Sequence, residues 1–448
     1  MGRVSKLNRR RFLKHSAAAA GVAVTPAFGV PMFLRDKAPN SKLGIAVIGC
    51  GGQGGGNPGT AAGERLVALV DVDDKKIAEA VKKVADKSPN PPVFHDYRAM
   101  FDKLGKDLDA VLIATPDHHH APAAIRAIRL GKSVFCEKPL TWCIHEARTL
   151  TTEARKHKVH TSMGNQGHGG EGYRRLCEYV WAGAIGDVTE THSLMTRNFG
   201  GTGGRPKAEP VPAGLHWDEW LGPAPERDYH GGLHTFGWRN WTAFGTGTLG
   251  DMGCHILDGT FWALKLGEAK TFAIECVAQT AGSGEMFAQN NHLRWTFPAR
   301  GPMPAVTVNS YDNKWPDKIT ALEKEHGEKF GGGTVYVGTK GVMATGTYGD
   351  NPRLVPKAAH EAFAAPPKTL PRSKAGVKGD LLLACKGGAE SSSSFDYAGP
   401  FTEFVLTGVM ASKLGVGKPI TWDVEKMTAD RPEATALVTR EYRKGWEV

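Results

Sequence analysis

The chain has 448 residues, of which 41% are hydrophobic and 23% charged, with 56 Gly, 11 Trp and seven Cys. That length predicts two or three domains, and the composition excludes a disordered chain, a collagen-like repeat and a small disulfide scaffold. The net charge of +10 invites a nucleic-acid partner, but residues 1–42 hold nine Lys/Arg and one Asp, so the rest of the chain carries only +2. Without a basic stripe on the body, no nucleic acid is expected.

Residues 1–40 read as a signal and linker. The basic stretch Asn8-Arg9-Arg10-Arg11-Phe12-Leu13-Lys14 precedes an uncharged run of 19 residues from Ser16 to Leu34. A charged region followed by an apolar one is the pattern of an export signal. The stretch resembles the twin-arginine signal, Arg-Arg-x-Phe-Leu-Lys, with Arg9 and Arg10 as the pair, which implies a periplasmic or otherwise exported protein. The run approaches the length of a membrane span, but Gly21, Pro26, Gly29 and Pro31 argue against a stable spanning helix.

Residues 41–163 read as a dinucleotide-binding domain. Leu43–Gly49 is a short buried strand, and it runs into Gly49-Cys50-Gly51-Gly52-Gln53-Gly54, a G-x-G-x-x-G turn. Its first Gly permits the turn, the second lets a pyrophosphate approach the backbone, and the third lets helix pack on strand. Alone this signal is weak in a Gly-rich chain, but a second strand, Arg65–Val70, ends at Asp71, 22 residues after Gly49. That spacing suits a carboxylate on the adenosine ribose, and a carboxylate there favours NAD over NADP. Gly55-Gly56-Asn57-Pro58 predicts a late or broken helix. A helix with Ile77, Ala80, Val81 and Val84 on one face follows, then strands at Asp109–Pro116 and Ser133–Cys136. This alternation predicts a parallel, doubly wound α/β sheet, with ligands beyond the carboxyl ends of its strands. Thr115, Pro116 and the run His118-His119-His120 stand at one such end, and Glu137 and Lys138 at the next.

Together these segments resemble the glucose–fructose oxidoreductase / inositol dehydrogenase / MocA (Gfo/Idh/MocA) family. The resemblance rests on the glycine turn, Asp71, Ala114-Thr115-Pro116-Asp117-His118-His119-His120 and, most specifically, Cys136-Glu137-Lys138-Pro139-Leu140. Met163-Gly164-Asn165-Gln166-Gly167-His168, Trp238-Arg239-Asn240-Trp241 and Gly250-Asp251-Met252-Gly253-Cys254-His255 extend it through the chain. It implies a Rossmann domain followed, over residues 164–448, by an α/β substrate and oligomerisation domain with a large, mostly antiparallel sheet. The alternating stretches 187–192 and 271–277 fit strands of such a sheet. It also implies a homodimer or homotetramer.

The chemistry expected centres on Lys138. Desolvation beside a bound nicotinamide favours the neutral amine, which can take a proton from a substrate hydroxyl while hydride leaves. Asp251 and His255, spaced i, i+4, share a face if they begin a helix, and by resemblance they join Lys138 as the catalytic group. No third ligand matches their spacing, so no metal is expected there. Cofactor contacts fall to Gly49, Gly51, Gly52, Gln53, Gly54, Asp71, Thr115, Pro116, His118, Glu137 and Lys138, with Asn165 and Arg239 added by resemblance. His118 and His120 are expected to face the cofactor and His119 to point away. Of Trp217, Trp220, Trp238, Trp241 and Trp262, most read as core, with one or two lining the pocket.

The resemblance implies an NAD(P)-dependent oxidoreductase acting on a sugar, glycoside or polyol. Export adds a physical constraint: outside the cytoplasm there is no ready nicotinamide pool, so a cofactor bound before export would have to be tightly held and recycled within each turnover. Two alternatives remain: NAD-dependent glycoside cleavage through transient oxidation, and a sugar-binding protein that has lost turnover.

Overall fold

A computed structural model of the protein describes residues 41–448; the leader and its twin-arginine pattern lie outside the described residues. The first sheet has six strands: β1 (Gly44–Ile48), β2 (Arg65–Val70), β3 (Val93–Phe94), β4 (Ala110–Ile113), β5 (Ser133–Cys136) and β6 (Thr161–Met163). Their order is β3-β2-β1-β4-β5-β6, and every pairing is parallel. Every residue of β1, β4 and β5 is buried, as expected when helices cover both faces of a parallel sheet. The order reverses between β1 and β4, and the crevice outside the strand ends at such a switch point is where ligands bind. The helix after the glycine turn starts late, as expected: a 3₁₀ turn occupies Gly52–Gly56 and the α-helix runs Asn57–Gly63.

Helix Asp74–Val84 buries Ile77, Ala80 and Val84 on one face. Its N-cap, Asp73, accepts a hydrogen bond from the Lys75 N–H at 2.9 Å, a contact worth about 1 kcal/mol. Helix Asp117–Arg129 follows β4 immediately.

The second sheet has nine strands: β7 (Val188–Met195), β8 (Thr271–Thr280), β9 (Gln289–Phe297), β10 (Val306–Asp312), β11 (Gly333–Gly338), β12 (Val342–Thr345), β13 (Arg353–Val355), β14 (Ile420–Asp423) and β15 (Thr428–Ala429). Its order is β13-β12-β11-β7-β10-β9-β8-β14-β15, antiparallel except where β7 meets β10. Strands here alternate: Phe272, Ile274 and Cys276 of β8 and Leu293, Trp295 and Phe297 of β9 are buried, and the residues between them are less so. Helix Phe395–Leu414 covers that buried face and also packs on helix Ile144–His157 beside the first sheet.

The chain crosses back between the sheets. Val377, Leu381 and Cys385 pack with Leu43, Ile45, Val47 and Phe135 of the first sheet. The short helix Lys357–Ala362 follows β13. All seven cysteines are free and buried. No helix among the described residues is long and apolar enough to cross a membrane.

Candidate active site

Gly49 takes a positive φ of +88° at the end of β1, and a Cβ there would sit 2.3 Å from the Ala114 carbonyl oxygen. Only glycine permits this turn. The next N–H, that of Cys50, donates to Asp71 Oδ2 at 2.7 Å, while Asp71 Oδ1 accepts from the Asp73 N–H at 3.0 Å. The carboxylate that ends β2 therefore grips the glycine turn. Burial pushes the Asp71 carboxyl above its usual value, and the hydrogen bonds from Cys50 and Asp73 only partly offset that.

The turn opens on a cavity of about 870 Å3, within the usual range for ligand sites. Gly49, Gly51, Gly52, Gln53 and Asp71 line one part; Thr115, Pro116, Glu137, Lys138, Arg239, Asp251 and His255 line another. The structure thus brings most of the sequence-assigned residues to one cavity. Glu137 is buried, with Gln53 Nε2 and Gln166 Nε2 within 3.5 Å of its carboxylate.

Lys138 extends from the end of β5. Its Nζ donates to Asp251 Oδ1 at 2.9 Å and to the Asp251 carbonyl oxygen at 2.8 Å. Arg239 Nε donates to the same Oδ1 at 3.2 Å, and its guanidinium lies over the Trp238 and Phe236 rings at 4.2 and 4.4 Å. Burial would raise the Asp251 carboxyl, but Lys138 and Arg239 outweigh it and hold the group below its usual value. Asp251 stands in a π-helical turn, Leu249–Gly253, and His255 in the α-turn that follows; π-turns concentrate at functional sites. The His255 ring is buried edge-on to Tyr348 at 4.8 Å between centroids. Burial, helped by the Lys138 charge, pulls its pKa down to about 3, so the imidazole is neutral at working pH.

Four of the assigned residues stand otherwise than expected. His118 lies outside the cavity lining, with Nε2 3.0 Å from the Trp220 carbonyl oxygen, whereas His119 lines the cavity. The reason is helical register: these residues begin helix Asp117–Arg129, so alternation along a strand does not govern them. His120 also misses the cavity, held between the Pro139 and Thr115 carbonyls at 2.6 and 2.9 Å. Asn165 is fully buried away from the cavity, donating to Asp258 Oδ2 at 2.9 Å and accepting from the Ser393 hydroxyl. Of the five tryptophans, Trp220 and Trp238 line the cavity and also belong to a buried cluster with Trp241 and Phe244.

Asp117 is the group that sequence reasoning missed. It is fully buried at the cavity wall, and the Thr246 hydroxyl donates to its Oδ2 at 2.6 Å. Burial pushes its pKa up to about 7, with Thr246 and Arg239 opposing and Asp251 adding. Its place in the Thr-Pro-Asp-His string was the one available signal. Tyr348, from the loop after β12, and Trp446, in the family-like ending Tyr442-Arg443-Lys444-Gly445-Trp446, also line the cavity; no local pattern marks Tyr348.

Residues 43–165 match the family model described as "Oxidoreductase family, NAD-binding Rossmann fold", and residues 195–292 the one described as "Oxidoreductase family, C-terminal alpha/beta domain". A glycosyl hydrolase family 109 protein of Shewanella baltica is 29% identical over 189 residues, which cover 37% of this chain and 41% of that one. An alpha-N-acetylgalactosaminidase of Shewanella oneidensis is 30% identical over the same length and shares. The chain thus spans about four-tenths of the length of these curated relatives. The WlbA dehydrogenase of Bordetella pertussis, solved with NADH and UDP-GlcNAcA, has a similar fold: TM-score 0.56, 14% identity, covering 84% of this chain and 98% of that one. The cavity fits the dinucleotide that the first description implies. Thr115 Oγ1 and His255 Nδ1 are buried without hydrogen-bond partners, and both residues line it.

Proposed function

The chain belongs to the Gfo/Idh/MocA oxidoreductase family, and from that premise we propose that it moves hydride between a nicotinamide dinucleotide and a hydroxyl or ketone of a sugar, glycoside or polyol. The observation that carries this reading is that Lys138 and the glycine turn line one cavity. NAD, when bound, supplies the ring that takes or returns hydride.

Lys138 is the proton carrier in this reading. Two of its N–H bonds point to Asp251, leaving one position on the nitrogen. In the neutral amine that position is a lone pair, which takes the proton of a substrate hydroxyl as hydride departs from carbon; in the ammonium it is the N–H that returns the proton. Asp251 orients the amine, and Arg239, anchored on the same oxygen, steadies Asp251. His255, held neutral by burial, is a hydrogen-bond partner for a substrate hydroxyl rather than a proton donor. The test is nicotinamide reduction across a panel of sugars and polyols, in the native chain and in Lys138→Ala.

A second reading is supported by the glycosyl hydrolase relatives: transient oxidation to a ketone acidifies the neighbouring C–H, that proton is lost as the leaving group departs by elimination, water adds to the resulting enone with a proton returned to carbon, and hydride returns to the ketone. Exchange of that C–H with solvent deuterium, together with release of the aglycone, separates this outcome from simple dehydrogenation.

Export by the twin-arginine route belongs to the same proposal. Free thiols are vulnerable outside the cytoplasm, but all seven are buried, and burial pushes Cys276 and Cys385 up to about 11, suppressing the reactive thiolate. Cell fractionation tests the location, and native mass tests the proposed homodimer or homotetramer.

A further inference from the structure

We propose that Asp74, His95 and His216 form a binding site for a divalent transition-metal ion of the zinc and cobalt class, at the rim of the cavity. Three distant segments supply the ligands. Asp74 opens helix Asp74–Val84, His95 follows β3, and His216 precedes helix Trp217–Leu221. Backbone bonds fix their relative positions: the Asp74 N–H donates to the Gly214 carbonyl and the His216 N–H to the Val72 carbonyl, both at 2.9 Å.

The tautomer of His95 is the key observation. Its Nδ1 lies 3.0 Å from the Asp71 carbonyl oxygen. A carbonyl only accepts, so Nδ1 carries the hydrogen, and in neutral His95 the other nitrogen, Nε2, presents a lone pair. This is the arrangement by which proteins orient a metal-binding imidazole, with the far nitrogen donating to a backbone carbonyl. Yet Nε2 faces Asp74 Oδ1 at 3.5 Å. Two acceptors that face each other repel unless a cation lies between them.

His216 completes the set. Its Nε2 is 3.4 Å from the same Asp74 oxygen, and its ring stacks on His95 with centroids 3.6 Å apart and planes 14° from parallel. The 3.4–3.5 Å separations are longer than good N–H···O bonds. They equal the edge of a tetrahedron drawn around an ion with bonds of about 2.1 Å, roughly 3.4 Å. Imidazole nitrogens with a carboxylate oxygen suit zinc, cobalt and nickel, and three protein ligands leave the fourth position to water. The parallel rings must splay for both lone pairs to converge. Both side chains are about one-third exposed, 34% for His95 and 36% for His216, so there is room. The neighbouring carboxylate, Asp73, is engaged by His234 Nε2 at 2.9 Å, which leaves Asp74 as the carboxylate for the ion. An ion here would tie the first turn of a helix, the end of β3 and the 214–216 loop together, next to the Asp71 that grips the glycine turn. The inference is independent of which substrate the enzyme takes.

The test is titration of the chelator-treated full chain with Co2+ at neutral pH, followed by d–d absorption. The expected result is one equivalent bound with the intense bands of tetrahedral coordination. Affinity should fall at least about tenfold in each of His95→Gln, His216→Gln and Asp74→Asn. A second measurement guards against misfolded variants: Zn2+ should raise the Tm of the native chain, and circular dichroism should show the variants folded without that rise. Absence of uptake would mean that a proton alone relieves the His95–Asp74 contact, and would overturn the proposal. So would uptake unchanged in the variants, or thiolate-to-cobalt bands, which would place the ion on cysteine.

Discussion

Lys138 and Asp251 stand 113 positions apart in the chain, and Nζ of one meets Oδ1 of the other at 2.9 Å. One comes from the end of a parallel strand of the first sheet and the other from a π-helical turn between β7 and β8 of the second. The pair therefore joins the strand ends of the first sheet to the wall of the cavity that the later half of the chain supplies. Lys138→Ala should lower kcat by about 10²–10⁴-fold, the usual contribution of a positioned proton carrier. Steady-state kinetics on any substrate the native enzyme turns over checks this.

Removing the other partner acts on stability as well. Asp251 receives Lys138 and Arg239 on one oxygen, and all three side chains are less than one-fifth exposed. Asp251→Asn leaves two part-buried cations without a counter-charge, and should cost roughly 3 kcal/mol at neutral pH. The folded pKa of Asp251 lies below its unfolded value. Its contribution is therefore present above the unfolded pKa and is lost as pH falls through the folded one. Urea unfolding should show the gap between native and variant closing in acid.

Asp117 has the opposite sign. Its pKa rises from 3.8 to about 7 in the fold, so the native state holds its proton more tightly than the unfolded chain. The stability this gives is full below pH 4 and is lost as pH rises toward and through 7. Asp117→Asn does not titrate, so it should gain on the native protein by about 2–3 kcal/mol between pH 5 and pH 8. Paired urea titrations at those two values measure it.

Asp71 should set nucleotide choice. Losing a carboxylate that bonds the ribose hydroxyls typically costs about 1.5–3 kcal/mol. Asp71→Ser should therefore raise the Kd for NAD about ten- to a hundredfold, while NADP, freed from repulsion, binds no worse than before. Fluorescence titration with the reduced forms reads both. Because Asp71 also accepts from the Cys50 N–H, a small loss of thermal stability should accompany the switch.

Local signals carried the first domain a long way. The branched strands, the glycine turn and Asp71 lie within 30 residues of one another and obey fixed spacings, so they could be read without long-range information. The Lys138–Asp251 contact became legible only through family resemblance, because no periodicity links positions so far apart. His118 and His120 turn away from the cavity because a helix starts at Asp117, so helical register sets their directions, and nothing in the strand before it signals where that helix begins. Asn165 turned to Asp258 and Ser393 because a buried amide takes the partners that packing offers. The burial that raises Asp117, the ring of Tyr348 and the Asp74–His95–His216 group depend on tertiary packing, which leaves no mark in the local sequence. The return of residues 377–385 to the first sheet is hidden for the same reason.

The central claim is that Lys138 moves the proton while a dinucleotide bound at the glycine turn takes hydride. Its most direct test measures NAD binding and nicotinamide reduction on the same two preparations, the native chain and Lys138→Ala, each mixed with the sugar and polyol panel. The account predicts that both bind NAD with comparable Kd and that only the native chain reduces it at an appreciable rate, the variant being slower by about a hundredfold or more. Equal reduction by the two, or failure of the folded native chain to bind NAD at all, would contradict it.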